Sequence, residues 1–259
     1  MNQENNMFSR AIVRQPGESL VSGITTAGLG APDFELAMKQ HGRYIDALET
    51  CGLEVTVMPA DEDYPDGLFI EDAALVMSGC AVSTRPGALA RRGEVNKVAK
   101  ELSAFYHRID TITVPGTLDA GDIMMVDKHF YIGLSERSNQ AGADQLIEVL
   151  RANGYDGSTV NFSEALHLKS SVSYLENNRL VITGELCEKP EFAEFDHIEI
   201  DADEAYAANC VWINNRVLVA SGYPKTSKKI ADLGYQVIEL DVSEFRKLDG
   251  GLSCLSLRF

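Results

Sequence analysis

The sequence predicts an α/β protein made of five repeated strand–strand–helix–strand units that close into a ring. Four segments share a hairpin pattern, a helical stretch follows each hairpin, and one more apolar strand follows each helix. A fifth unit is completed by the two ends of the chain. Five units are too few for a long open stack, so we expect a ring. Since no Pro-, Gly- or Ser-rich linker divides the chain, we expect one domain over residues 1–259.

The hairpins lie at residues 69–84, 118–135, 166–184 and 205–222. Each begins with a short polar stretch, passes into an apolar run, turns, and returns as a second apolar run. The predicted turns are Ser78-Gly79, Asp127-Lys128, Asn177-Asn178 and Asn214-Asn215. Gly, Asn and Asp are the residues that accept the positive φ of tight hairpin turns.

Apolar residues at three- and four-residue spacing predict helices at 94–106, 141–153 and 224–233, with a weaker one at 190–195. The strands that follow are predicted at 111–114, 158–162, 197–200 and 236–240. In the fifth unit we expect a strand at 8–13, a helix at 32–51 and a strand at 53–58. We expect a final strand at 253–258 to pair beside the first strand.

Composition excludes several classes of protein. The chain has 23 Lys and Arg against 39 Asp and Glu, a net charge of −16, which argues against nucleic acid as a partner. No apolar run approaches the roughly 20 residues of a membrane helix, so we expect no membrane partner. The five cysteines are odd in number and form no CxxC pair, which argues against a disulfide framework or structural zinc. Reduced thiols favour the cytoplasm.

The repeat brings chemistry-bearing residues into one register. The markers at the polar starts of the hairpins are 42 to 48 residues apart: Glu71, Asp119, His167, Asn209 and Cys254. In a ring, equivalent positions face the same axis, so these side chains are expected around one cavity. The result is a catalytic inventory of thiol, imidazole, amide and carboxylates.

Cys254 follows two glycines, Gly250 and Gly251, that would let a ligand approach closely. A free cysteine is otherwise usually a small core residue. His167 lies between two leucines and is either a core residue or, paired with Cys254, a general acid and base. Asp119 is placed to orient His167 or to cap the local turn.

Further acids surround this register. Glu71 and Asp72 lie between apolar residues, and buried carboxylates need partners. A planar guanidinium would be a suitable partner, because a carboxylate can bind it through two parallel hydrogen bonds. Asp66 and Asp249 flank the same strands and add negative charge.

Arg85 and Arg137 follow the second strands of two hairpins and could receive a carboxylate, although both could equally be solvated surface residues. Carboxylates that bind the cationic end of a ligand and arginines that bind its carboxylate would suit an amino acid with a cationic side chain. The histidines lack metal-ligand spacing and no phosphate loop is present, so we expect neither a metal nor a cofactor.

The chain resembles a known family. The segments that carry the resemblance span nearly the whole chain: Phe69-Ile70-Glu71-Asp72, Thr84-Arg85-Pro86-Gly87-Ala88, Leu118-Asp119-Ala120-Gly121-Asp122, Leu166-His167-Leu168-Lys169, Tyr206-Ala207-Ala208-Asn209-Cys210 and Asp249-Gly250-Gly251-Leu252-Ser253-Cys254. They are similar to the bacterial dimethylarginine dimethylaminohydrolases, guanidine-modifying enzymes of the five-bladed α/β-propeller (pentein) fold. The resemblance implies hydrolysis of Nω-methylated L-arginine to L-citrulline and dimethylamine or methylamine.

The resemblance implies a role for each catalytic residue. Cys254 would attack the guanidinium carbon and form a covalent thiouronium intermediate. His167 would protonate the departing amine and then activate water. Asp119 takes the position that orients the histidine, where the family also uses Glu.

It also implies the contacts to the substrate. Asp72 and Asp249 would clasp the guanidinium, with Glu71 in support, while Arg85 and Arg137 would hold the substrate carboxylate.

For the α-amino group the resemblance implies Asp66 and the backbone carbonyl of Leu248. Residues 20–31 correspond to a mobile lid, in which Ile24 would contact the substrate where the family often has Leu. An arginine deiminase, an amidinotransferase and a non-catalytic propeller are the alternatives. The sequence is compatible with a monomer and with a homodimer.

Overall fold

The computed structural model describes residues 7–259, whose strands form five sheets of three strands each. The strands are β1 (Arg10–Arg14), β2 (Glu54–Met58), β3 (Ala74–Met77), β4 (Cys80–Ser83), β5 (Ile109–Thr111), β6 (Ile123–Val126), β7 (His129–Leu134), β8 (Asp156–Asn161), β9 (Val172–Tyr174), β10 (Arg179–Ile182), β11 (Asp196–Glu199), β12 (Val211–Ile213), β13 (Arg216–Ala220), β14 (Gln236–Leu240) and β15 (Leu257–Arg258). The α-helices are α1 (Phe34–Thr50), α2 (Val95–Leu102), α3 (Gln140–Ala152), α4 (Pro224–Asp232) and α5 (Ser243–Arg246). No helix within residues 7–259 has the length and hydrophobicity needed to span a bilayer.

Every sheet has the same pairing. Its middle strand is antiparallel to one neighbour and parallel to the other, as β7 is to β6 and β8. The unit made by the chain ends has the order β15-β1-β2, with Ala11 opposite Arg258 in the antiparallel pair. The predicted pairing of the final strand beside the first is therefore confirmed.

The hairpin turns are confirmed by their backbone angles. Positive φ occurs at Gly79 (82°), Asp127 (53°), Asn177 (53°) and Asn178 (62°), and the fourth turn has 45° and 71° at its two asparagines. These residue types enter this region at the lowest cost, which explains why each hairpin reverses where it does.

Five buried apolar clusters show that the sheets close into a ring. Each cluster draws on two neighbouring sheets, and pairs of residues that illustrate them are Ile12 with Ala81, Val82 with Ile132, Val160 with Leu180, Val181 with Val217, and Leu218 with Val13. The last pair joins the final hairpin unit to the first sheet. The fold is thus a five-bladed α/β propeller, as the repeat and the resemblance predict.

Two predicted elements are shorter than expected. Helix α2 ends at Leu102 rather than at residue 106, because the N–H groups of Ala104 and Phe105 bond carbonyls three residues back and the Ser103 hydroxyl donates to the Lys100 carbonyl at 2.6 Å. The predicted helix at 190–195 is a 3-10 turn over Pro190–Phe192.

Two predicted strands are placed wrongly. The strand at 111–114 lies instead at Ile109–Thr111, because the Thr113 N–H leaves the sheet and donates to Oε1 of Gln145 at 2.8 Å. In the predicted strand at 253–258 only Leu257–Arg258 pairs, and Ser253–Leu255 forms a 3-10 turn.

The same correction applies to the polar starts of the hairpins. They are 3-10 turns that precede the first strands, at Ile70–Ala73, Ala120–Asp122, Leu168–Ser170, Ala202–Ala208 and Ser253–Leu255. Asp119 and His167 directly precede two of these turns, and Cys254 lies within another. The turns therefore carry the polar residues to one end of the ring.

Candidate active site

A small cavity, about 40 Å³ in volume, lies at this end of the ring. Nine of the predicted site residues line it: Ile24, Asp66, Asp72, Asp119, Arg137, His167, Leu248, Asp249 and Cys254. This is well below the roughly 300–1,000 Å³ of small-molecule sites, so a ligand the size of an amino acid needs the residues that cover the cavity to move.

His167 lies between two carboxylates. Its Nε2 is 3.2 Å from Oδ2 of Asp119 and 4.0 Å from Oδ1 of Asp72. Asp119 is itself fixed, because its Oδ1 accepts a hydrogen bond from the Gly87 N–H at 2.9 Å. All three side chains are buried, so the charges act on one another with little screening by water.

Electrostatics favour the imidazolium. Burial alone disfavours a charged ring, but the nearby carboxylates Asp72, Asp119 and Asp122 outweigh it and raise the pKa of His167 to about 9. His167 is therefore protonated at neutral pH, as a general acid must be.

For Cys254, in contrast, the surroundings favour the uncharged form of the side chain. Burial, followed by the charges of Glu71 and Asp72, raises the pKa of its thiol to about 12, although the Gly251 N–H points at Sγ from 3.4 Å. At neutral pH the unliganded site thus holds a thiol rather than a thiolate. Deprotonation requires an added positive charge close to the sulfur.

The glycine pair before Cys254 makes room for neighbouring residues of the protein. A Cβ on Gly250 would lie 2.1 Å from the Phe69 ring, and one on Gly251 would lie 2.6 Å from the Asn209 side chain. Asn209 in turn accepts from the Ser253 N–H at 3.0 Å and donates to the Lys169 carbonyl at 2.9 Å. This marker residue lies outside the cavity and fastens the Cys254 turn to the His167 turn.

Arg91 is a site residue that sequence reasoning missed. Its guanidinium donates to Oδ2 of Asp72 at 2.5 Å and to Glu94 at 2.6 Å. Burial favours the neutral acid, yet His167 and Arg91 together lower the pKa of Asp72. Asp72 is consequently an ionised carboxylate with one oxygen taken by Arg91. The spacing of three residues between Arg91 and Glu94 is the sequence feature that links them, and the burial of Glu94 that gives the pair its role is visible only in the structure.

Asp122 was also missed. It is fully buried and accepts from the Leu168 N–H at 2.9 Å, directly after His167 in the chain. Its position in the same segment as Asp119 was the available signal.

Gly121 allows the site to be this compact. A Cβ there would lie 2.7 Å from Oδ1 of Asp72 and 3.0 Å from the His167 ring. The Gly121 N–H also donates to Oδ1 of Asp72 at 3.0 Å. Only a residue without a side chain fits between these two groups.

Residues 23–26 cover the cavity and bind two of its acids. The Ile24 N–H donates to Asp66 at 3.0 Å, and the Thr26 N–H donates to Oδ2 of Asp249 at 2.6 Å. The Thr25 hydroxyl donates to the Lys247 carbonyl at 2.7 Å. The segment predicted as a lid therefore bonds two of the carboxylates that the resemblance assigns to the substrate.

Glu71 and Arg85 do not line this cavity. Oε1 of Glu71 pairs with Lys169 at 2.6 Å and Arg258 at 3.1 Å, and Glu71 lines a separate cavity of about 390 Å³ among the innermost strands. Arg85 donates to the Gly116 carbonyl at 2.9 Å.

One group of side chains has the spacing of a cation site. Ligand atoms of Asp72, Asp119 and His167 lie within 4.8 Å of one another. The Arg91 guanidinium already contacts Asp72, and the buried positive charge opposes a metal ion at the same carboxylate. We therefore keep the expectation that the reaction uses no metal.

Comparisons with known proteins identify the family. The model of the N,N dimethylarginine dimethylhydrolase family, eukaryotic, matches residues 33–255. The N(G),N(G)-dimethylarginine dimethylaminohydrolase of Pseudomonas aeruginosa is 52% identical over 254 residues, which cover 98% of this chain and 100% of that protein.

Solved structures agree. A mutant of the Pseudomonas aeruginosa enzyme, complexed with citrulline, has a TM-score of 0.97 at 51% identity, covering 98% of this chain and 100% of that one. The N-terminal domain of ArgZ, a cyanobacterial arginine dihydrolase, has a TM-score of 0.87 at 18% identity and covers 96% of this chain and 97% of that domain, a likeness of fold alone. With a full-length relative above half identity and the site residues gathered at one cavity, the chain belongs to the dimethylarginine dimethylaminohydrolase family.

Proposed function

We propose that the protein hydrolyses Nω-methylated L-arginine, both asymmetric dimethylarginine and monomethylarginine, to L-citrulline and dimethylamine or methylamine. The observation that carries the proposal is one cavity lined by a thiol, a protonated imidazole and several carboxylates, with an arginine at its edge, in a chain of this family. The citrulline complex of the Pseudomonas aeruginosa relative supports the product.

In the first half-reaction the Cys254 thiol loses its proton to solvent as the substrate binds, and the thiolate attacks the guanidinium carbon. The bond from that carbon to the alkylamine nitrogen breaks as His167 gives that nitrogen its proton. The products are a free amine and a covalent thiouronium on Cys254. Asp119, in contact with His167, holds the ring for this transfer.

In the second half-reaction water attacks the thiouronium carbon. His167, now neutral, takes one proton from that water, and the second passes to the sulfur as the carbon–sulfur bond breaks. Cys254 leaves as a thiol and the ligand leaves as L-citrulline. His167 thus serves first as acid and then as base.

The substrate itself supplies the charge that the thiol needs. In the unliganded site Glu71 and Asp72 add to the burial that raises the pKa of Cys254. A guanidinium held by Asp72 and Asp249 would offset those charges and lower the pKa of the thiol. Glu71 acts here through its charge rather than by contact.

The remaining contacts fix the amino-acid end. Arg137 lines the cavity, and we assign it the substrate carboxylate, with Arg85 joining it by leaving the Gly116 carbonyl. A Cβ on Gly87 would touch the Arg137 backbone, so the Arg85 segment packs beside Arg137. Asp66 and the Leu248 carbonyl receive the α-amino group, and Ile24 covers the ligand.

The test is to measure citrulline from dimethylarginine and from unmodified arginine with purified protein. We expect faster turnover of dimethylarginine. A preference for arginine would support a deiminase instead, and transfer of the amidino group to an added amine would support an amidinotransferase. Cys254→Ser must abolish citrulline production; an active Cys254→Ser variant would rule out this thiol as the nucleophile.

We further propose a cytoplasmic protein, because its five cysteines are free and the chain carries no disulfide. The net charge of −16 supports a small-molecule ligand rather than nucleic acid. The closed ring of clusters supports one domain over residues 1–259. Light scattering after size exclusion would distinguish a monomer from a homodimer.

A further inference from the structure

Asp122 is a fully buried carboxylate whose three hydrogen bonds all lead to other parts of the site. Its Oδ1 accepts from the Leu168 N–H at 2.9 Å. Its Oδ2 accepts from the hydroxyls of Ser135 at 2.7 Å and Ser138 at 2.6 Å. It is not among the residues that line the active-site cavity.

The connections through Leu168 and Ser138 reach the proposed catalytic pair, Asp119 and His167. Leu168 directly follows His167 in a 3-10 turn, so its bond to Asp122 fixes the backbone that carries the imidazole. The Ser138 hydroxyl donates to Asp122 and accepts from the Asp119 N–H at 3.0 Å. One carboxylate thus holds both partners of the contact between Asp119 and His167.

The third connection reaches the proposed carboxylate-binding residue. The Ser135 hydroxyl accepts from the backbone N–H of Arg137 at 3.0 Å and of Ser138 at 3.1 Å. Since these bonds use the acceptor capacity of the hydroxyl, its proton is available for Asp122. The turn that presents Arg137 is therefore built on the same carboxylate.

Gly133 lets this carboxylate approach its partners. A Cβ at Gly133 would lie 2.6 Å from the Phe162 ring, 2.9 Å from the Leu168 side chain and 3.3 Å from Oδ1 of Asp122. A buried carboxylate is costly unless donors surround it, and here three donors meet it. Such a group resists displacement and is suited to fix distances.

We propose that Asp122 is a positioning residue that holds His167, Asp119 and Arg137 in their relative places without touching the substrate. This inference rests on the proposed function. It assigns the chemical step to two branches, through Leu168 and Ser138, and substrate binding to the third, through Ser135.

Each of these hydrogen-bond connections can be removed by a separate substitution. Ser138→Ala should lower kcat for dimethylarginine about tenfold with little change in KM, because Asp119 loses its backbone support. Ser135→Ala should raise KM about tenfold with a smaller change in kcat, because the Arg137 turn loosens. Asp122→Asn should lower kcat and raise KM together, since the amide nitrogen that replaces one carboxylate oxygen cannot accept a hydrogen bond.

Ser173→Ala is the matched control. Ser173 is also buried, and its hydroxyl donates to the Ala208 carbonyl at 2.8 Å and accepts from the Cys210 N–H at 3.2 Å. Its loss should leave kcat and KM near the wild-type values. If Ser135→Ala and Ser138→Ala change the kinetics no more than Ser173→Ala does, Asp122 has no positioning role.

NMR titration of the histidine ring gives a readout that needs no turnover. Ser138→Ala removes no charge, so a lower pKa of His167 in that variant would report a displaced Asp119. An unchanged His167 pKa in both Ser138→Ala and Asp122→Asn would overturn the inference even if the wild type is active. A wild type that leaves dimethylarginine intact would overturn the proposed function alone. Should Asp122→Asn fail to fold, the two serine variants decide the question.

Discussion

Oδ2 of Asp119 lies 3.2 Å from Nε2 of His167, a contact buried from solvent on both sides. Asp119 is one of the carboxylates that raise the pKa of His167 to about 9 against the cost of burial. Since the Cys254 thiol has its pKa raised to about 12, the proposed acid and the proposed nucleophile are both protonated at neutral pH in the absence of substrate.

These two pKa values predict the pH dependence of kcat/KM. The reactive form has a protonated His167 and an ionised Cys254, so below pH about 9 one proton must leave, and kcat/KM should rise about tenfold per pH unit. Between pH about 9 and about 12 the reactive form has the same number of protons as the free enzyme, and kcat/KM should be level.

Asp119→Asn provides the comparison. It removes a hydrogen bond and a charge that favour the imidazolium, so the pKa of His167 should fall and the level region should begin at a lower pH. Because both proteins act on the same substrate, ionisation of the substrate cancels. A profile that levels at the same pH in both proteins would mean that Asp119 does not set the protonation of His167.

Much of the site could be predicted because the chain repeats. A nearly constant interval put Asp119, His167 and Cys254 at equivalent positions of successive units, and the closed ring brings equivalent positions together. The same rule misjudged Glu71, whose carboxylate points into the cavity among the innermost strands, while its neighbour Asp72 faces the site. A register accurate to one residue cannot distinguish adjacent side chains in a 3-10 turn.

Other features lay beyond sequence reasoning for physical reasons. Arg91 belongs to a connection with no counterpart in the repeat, and its role depends on the burial of Asp72 and Glu94. The resemblance implies a nucleophilic Cys254, whereas burial and the charges of Glu71 and Asp72 raise the pKa of its thiol. Such shifts arise from sums of charge and desolvation over residues that are distant in the chain.

Gly121→Ala should reduce activity more than it reduces stability. The added Cβ would lie 2.7 Å from Oδ1 of Asp72 and 3.0 Å from the His167 ring, so both groups must move. Displacement of catalytic groups by about 1 Å can cost roughly a hundredfold in rate, while overpacking of this kind costs about 1–3 kcal/mol of unfolding free energy. Steady-state kinetics and urea unfolding measure the two effects.

Gly42→Ala is the control for this substitution. Gly42 lies within α1, and a Cβ there meets nothing within 4 Å. Alanine should stabilise the helix by up to about 1 kcal/mol and leave kcat unchanged. Wild-type kcat in Gly121→Ala would contradict the close approach of Asp72 and His167.

Arg137→Met should raise KM for dimethylarginine about 10- to 100-fold, because a charge-assisted contact to a carboxylate contributes about 1.5–3 kcal/mol. Nω,Nω-dimethylagmatine, which lacks the carboxylate, should be an equally poor substrate for the wild type and the variant. Arg85→Met should have a smaller effect, since Arg85 must first leave the Gly116 carbonyl. If Arg137→Met raises KM for the agmatine derivative as much as it raises KM for dimethylarginine, Arg137 does not bind the carboxylate.

The cover over the cavity should contribute to substrate binding through Thr25. Its hydroxyl donates to the Lys247 carbonyl at 2.7 Å, next to the Leu248 carbonyl that we assign to the α-amino group. Thr25→Val removes that hydrogen bond while keeping the shape of the side chain. The loss destabilises the closed lid by about 1 kcal/mol and should raise KM about fivefold with kcat nearly unchanged.

Thr50→Val is the matched control, because Thr50 is also exposed and its hydroxyl donates to the Asp46 carbonyl at 2.8 Å. Thr50 lies in α1, which does not line the site. Equal KM values for the two variants would show that closure of residues 23–26 does not depend on this bond. A rise confined to Thr25→Val, accompanied by faster proteolysis within residues 20–31, would tie substrate affinity to the closed lid.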